Sequence, residues 1–156
     1  MRTMAFADAS RMVDEYTREV VAAIGPDARP WNESGNKSSP CVGRDGRTSG
    51  DDKYFLRSMF NVAVAPKEQV PAMTRVRDHF LTRGFTIDRF EVSDMEVSPG
   101  GTVDIINPQD DFLIYVMSSS PPENVSIWIT TPCYATPGSQ PPWTAGITPG
   151  PSTTSK

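Results

Sequence analysis

The residues predict an α+β domain, an antiparallel sheet of about five strands with two helices packed on one face, closed by a disulfide. Three observations lead there. Apolar residues recur at helical spacing in two separate segments, an alternating strand lies between those segments, and four short strand-like runs follow with turn signals in every gap.

The first helix is expected from Asp8, taken as its N-cap, because Met12, Val13, Tyr16, Val20 and Ile24 repeat on one face. Asp14, Glu15, Arg18 and Glu19 fall on the other side. That polar face is as acidic as it is basic, which suits a core-facing surface helix better than one lying on a membrane. Gly25-Pro26 ends it, since Gly favours the left-handed conformation and Pro cannot continue a helix.

From Asp27 to Asp52 the chain is rich in Gly, Ser, Asn and Asp and reads as a long loop, anchored at Trp31 and Cys41. Tyr54 to Ala65 is the clearest strand: Tyr54, Leu56, Phe60, Val62 and Val64 share one face at period two. Pro66 stops it. The second helix is expected over about Glu68–Arg83, with Val70, Met73, Val76 and Phe80 inward. Pro71 fits only near a first turn and moves the expected start later than Glu68, while Gly84 is placed just past the end. Strands are then expected at Phe85–Val92, Thr102–Asn107, Phe112–Met117 and Val125–Thr130. Short connections make them an antiparallel meander. Trp128 has the opposite pleat to Ile127 and Ile129, which puts it on the outer face of the sheet.

The chain of 156 residues is long enough for one domain. It divides into a flexible N-terminus at 1–7, the domain at 8–135 with its loop at 27–52, and a tail at 136–156. That tail is almost all Pro, Gly, Ser and Thr, with Trp143 and Ile147 as its large apolar residues, and such a composition reads as disordered. A net charge of −4, with Lys and Arg scattered among acids, argues against nucleic acid as a partner. No apolar run is long enough to be a transmembrane segment. The start of the chain has no signal-peptide core, leaving a cytosolic protein or a secreted one whose leader has been removed.

The two cysteines, Cys41 and Cys133, are 92 positions apart, which excludes a CxxC motif and zinc sites built from local pairs. A long-range disulfide is the preferred reading, and two free thiols are the alternative. A disulfide points to an oxidising compartment.

Candidate chemistry is sparse. His79, the single histidine, could serve as a general base, but its neighbour Asp78 points about 100° away on a helix, so an exposed helical histidine is the expectation. No serine lies in a nucleophile elbow. Asp51-Asp52 and Asp110-Asp111 sit at turns, and Glu91, Asp94 and Glu96 cluster near a strand end. Asp104, Asp110 and Asp111 do not match a calcium-loop spacing, so solvated turns are expected. Ser98-Pro99-Gly100-Gly101 precedes a strand, whereas a phosphate loop needs a helix N-terminus. Asn-X-Ser sequences occur at Asn32, Asn36 and Asn124. No catalytic, cofactor-binding or metal-ligating residue is therefore assigned, and no cofactor is expected.

Trp31 followed by Ser34-Gly35 and Pro40-Cys41, a helix ending in Gly84-Phe85, a strand meander and the closing Thr131-Pro132-Cys133 together resemble small secreted proteins and lipoproteins of actinobacteria. The resemblance covers about residues 8–135. It implies a Cys41–Cys133 bridge and an envelope location, with no activity; in that family a leader and a lipid-bearing cysteine lie upstream, so a lipid anchor on the unprocessed chain is allowed. The expected function is a non-enzymatic extracytoplasmic module that binds either a protein of the envelope or medium or a small ligand, with Trp31 in the 31–52 loop and Trp128 on the outer sheet face marking its surface. The alternatives are an immunity-type protein that neutralises a secreted toxin and a hydrolase whose site the sequence conceals.

Overall fold

Hydrophobic spacing and glycine punctuation set both helices. In the computed structural model, which describes residues 2–26, 28–41, 53–93, 100–119 and 123–137 without the side chains of 29–37, helix α1 spans Phe6–Ile24. It buries Ala9, Val13, Tyr16, Val20 and Ile24, one stripe of the 3.6-residue repeat. Asp8 is not its N-cap. Ala5 holds that position with no side-chain hydrogen bond, and Asp8 lies in the first turn, paired with Arg11 at 3.0 Å. A carboxylate there still meets the positive end of the helix dipole, so its sequence signal resembles that of a cap.

Helix α2 spans Pro66–Thr82 and begins earlier than the sequence suggested. Pro66 sits in the first turn, where a missing N–H breaks no helical bond. Pro71 is carried inside the helix because burial of Gln69, Ala72, Met73, Val76 and Phe80 holds both sides of it to the sheet. Gln69 Nε2 also donates to the Val64 carbonyl at 3.1 Å, fixing the entry. The exit is a Schellman motif: Phe85 N–H donates to Phe80 O at 2.9 Å and Gly84 N–H to Leu81 O at 3.0 Å, with Gly84 at φ +85°. The rings of Phe80 and Phe85, 5.1 Å apart, supply the accompanying apolar contact. Arg75 of α2 donates from Nε (3.0 Å) and Nη2 (2.6 Å) to the Ile24 carbonyl and so caps the C-terminus of α1.

The strands are β1 (Arg29–Pro40), β2 (Lys53–Ala63), β3 (Thr86–Ser93), β4 (Gly100–Ile106), β5 (Leu113–Ser118), β6 (Asn124–Thr130) and the short β7 (Tyr134–Ala135). They form one antiparallel 7-stranded sheet in the order β1-β2-β6-β5-β4-β3, with β7 also on β2. The sheet is thus larger than the five or so strands the sequence suggested. Much of the expected 27–52 loop is β1, an edge strand that pairs with β2 along its whole length. Register shifts at Pro30/Asn32 and Glu33/Gly35 break its period, so the main-chain ladder and not side-chain alternation defines it. Residues 42–52, including Asp51-Asp52, lie outside the described residues, as do 94–99 with Asp94, Glu96 and Ser98-Pro99, and the tail at 138–156. Residues 2–4, placed outside the domain by the sequence, bond to β7 through Met4 N–H to Ala135 O and Ala135 N–H to Arg2 O.

Both helices pack on the same face. Leu56, Val62, Val103, Ile105, Ile114, Val116, Val125, Ile127 and Ile129 point inward and share one core with the buried stripes of α1 and α2. Each large side chain so buried stabilises the fold by about 1.5–3 kcal/mol. At one end of this core Cys41 and Cys133 form a disulfide with Cα atoms 6.3 Å apart, joining the end of β1 to the segment that leads into β7. Both flank the start of β2: Cys41 N–H donates to Lys53 O at 3.3 Å, and Tyr134 pairs with Tyr54.

Candidate functional site

Strand alternation that buries one face must present the other. On the outer face the registered partners form rows across the sheet. The central row runs Met59 on β2, Trp128 on β6, Tyr115 on β5, Asp104 on β4 and Arg89 on β3. Gly35 of β1 stands opposite Met59 and, having no side chain, adds nothing to that row. On one side lies the row Arg57, Thr130, Leu113, Ile106, and on the other Asn61, Ser126, Met117, Thr102, Glu91. Trp128, Tyr115, Met59, Leu113 and Met117 are all partly exposed. No described helix or strand lies over them, because α1 and α2 both join the core on the inner face.

The rim of this patch is polar and internally bonded. Arg89 Nε donates to Asp104 Oδ2 at 3.0 Å, and the Asp104 side chain is nearly buried beneath that bond. Ser126 Oγ donates to Asn61 Oδ1 and also bonds Ser119 Oγ, each at 2.6 Å. Arg57 lies 5.6 Å from the centre of the Phe55 ring. An apolar aromatic centre with a rim of satisfied polar groups is the usual anatomy of a protein-binding patch.

Of the two tryptophans singled out by the sequence, Trp128 is where its pleat placed it. Trp31 lies in β1 at the register shift between Pro30 and Asn32, but its side chain is outside those described, so the two are not brought together. Asn32 and Asn36 share that limit, whereas Asn124 is buried in β6 and is a poor acceptor for a glycan in the folded state.

Two polar clusters escape sequence reasoning. His79 is not simply an exposed helical histidine: its Nε2 bonds Glu19 Oε2 at 2.7 Å, and Arg83 clasps the same carboxylate through Nε (2.7 Å) and Nη2 (3.1 Å). Burial alone would raise the Glu19 carboxyl, but the hydrogen bonds from Arg83 and then His79 outweigh it and hold Glu19 below its ordinary value. Nor is Asp110 only a solvated turn residue. Tyr16 Oη donates to its Oδ2 at 2.5 Å, Asn107 Nδ2 donates to Tyr16 Oη at 2.7 Å, and Phe112 N–H donates to Asp110 Oδ1 at 3.0 Å. Burial first, then the bond to Asp110, pushes the Tyr16 phenol far up, so it remains a neutral donor. Asp111, at φ +62°, pairs with Arg2 at 3.1 Å.

Among the described residues no three His, Cys, Asp or Glu side chains converge as a metal site, and no helix is long and apolar enough to cross a membrane. No family model, curated protein or solved structure matches the chain.

Proposed function

We propose that the chain is a non-enzymatic binding module, working outside the cytoplasm, that takes a partner protein on the helix-free face of its sheet. The row Met59–Trp128–Tyr115 carries this reading. Trp and Tyr dominate the energetics of protein interfaces because they bury large area with few rotors, and Met adapts to the surface it meets. The flanking Arg57, Arg89 and Glu91 provide both signs of charge at the rim, which favours a protein surface over a lipid one.

The disulfide supports this compartment, since a bond spanning 92 residues persists where thiols are not kept reduced. The resemblance to actinobacterial secreted proteins and lipoproteins supports the same location, with the partner an envelope or secreted protein. The experiment compares Trp128→Ala, and its combination with Tyr115→Ala, against the exposed helix variant Lys67→Ala. Each full-length chain is used to retain partners from the extracytoplasmic fraction of its own cells. The expected result is one partner held by the native chain and by Lys67→Ala but lost by both sheet variants, with thermal unfolding showing each still folded at the assay temperature. Retention of that partner by the double variant overturns the reading.

A further inference from the structure

Where the β4–β5 turn meets the C-terminus of α2, the fold leaves a pocket of about 310 Å³, lined by Tyr16, Arg83, Phe85, Gln109 and Asp110 among others. We propose that this pocket binds a small amphoteric molecule, one that carries a carboxylate and an ammonium group, as a free amino acid does.

The two charges that would recognise such a molecule are already in place. The Arg83 guanidinium spends Nε and Nη2 on Glu19, which fixes its plane, and Nη1 makes no hydrogen bond among the described residues. A guanidinium held in this way gives up little further rotamer freedom when it takes a carboxylate, and charge-assisted bonds of this kind are the strong ones. Asp110 accepts one bond at each oxygen, from Tyr16 Oη and Phe112 N–H, and each oxygen keeps a second lone pair for an ammonium donor.

The walls are rigid for the same reason. Asn107 Nδ2 bonds Tyr16 Oη, Asn107 Oδ1 accepts from Gln109 N–H at 3.0 Å, and both Tyr16 and Asn107 are buried. Phe85 gives an apolar surface, with its ring 5.2 Å from the Arg83 guanidinium carbon and 6.0 Å edge-on to the Tyr16 ring. Gly84 leaves the wall open, since a Cβ there would meet nothing within 4 Å. A ligand with only one charge engages one of these two groups, whereas a ligand with both engages the two at once.

The test is a titration of the full chain, followed by backbone amide NMR, with β-alanine, acetate and ethylammonium as probes. Saturable shifts at Gly84, Phe85, Gln109 and Asp110 are expected with β-alanine, at an affinity about tenfold or more above that of either single-charge probe. Arg83→Gln should weaken β-alanine by a similar factor. Because that variant also disturbs Glu19, Gln109→Trp is the companion: it fills the pocket from an exposed turn position, keeps the backbone bond to Asn107, and should abolish the shifts with the rest of the spectrum unchanged. Equal affinity for acetate and β-alanine, no saturable shift, or shifts that survive Gln109→Trp would each overturn the proposal.

Discussion

Removing the Cys41–Cys133 bridge should lower stability chiefly through the unfolded chain. The bond closes a loop with a sequence separation of 92 that encloses β2, α2 and the meander β3–β6. In the chain-entropy treatment a loop of that size restricts the denatured ensemble by about 4–5 kcal/mol at room temperature. A domain of this size has a total stability of about 5–15 kcal/mol, so the loss is about a quarter of the total or more. Cys41→Ala with Cys133→Ala is the suitable pair, because Cys41 is buried and a serine there would bury a hydroxyl. Urea unfolding followed by far-UV circular dichroism reads the effect. The free energy of unfolding should fall by several kcal/mol, and the m-value should rise because the open chain exposes more surface. Hydrogen exchange adds a spatial signature: amides of β1, β7 and the start of β2, tied together by the bridge, should lose more protection than those of β4 and β5. A loss below about 1 kcal/mol with an unchanged m-value would refute the reasoning, since the denatured chain would then not be the place where the bridge acts.

Glu19→Gln should destabilise by about 1 kcal/mol at neutral pH, a figure kept low because Arg83 and His79 are half-exposed. The folded Glu19 carboxyl lies below its unfolded value, so its contribution is present above the unfolded range and lost as pH falls through the folded one; the gap between native and variant in denaturation should close on acidification. Ile127→Ala should cost about 2–5 kcal/mol, whereas Trp128→Ala, one residue along but on the outer face, should cost under about 1.5 kcal/mol in thermal unfolding. Among the described residues Ser58 Oγ is buried without a hydrogen-bond partner, so Ser58→Ala should raise the urea midpoint, by about 1 kcal/mol in free energy.

Much of the fold was legible because its signals are local. The stripe from Met12 to Ile24, the alternation after Tyr54, and the turn residues between later strands each follow from side-chain periodicity or backbone preference within a few positions. The strand β1 was not, since a polar edge strand with two register shifts carries no period for the eye to find. Pro71 misplaced the start of α2 because its local penalty was outweighed by burial of Gln69, Ala72 and Met73, a tertiary effect. The open sheet face was half legible: the pleat placed Trp128 outward, but its neighbours Met59 and Tyr115 come from strands whose registers only the assembled sheet defines. Glu19–His79 and Tyr16–Asp110, at separations of 60 and 94, had no sequence signal at all. Adjacency to Asp78 was the wrong place to look for a partner to His79, because helix neighbours diverge while packed helices converge.

The claim that the helix-free face meets a partner outside the cytoplasm is tested most directly by site-specific photo-cross-linking in living cells of the source. A benzophenone amino acid is placed at position 128, and in a control at position 67 on α2. The account predicts a single cross-linked protein from position 128, resident in the envelope or the medium, and none from position 67. A cross-link to a cytoplasmic protein, or equal capture from both positions, would contradict it.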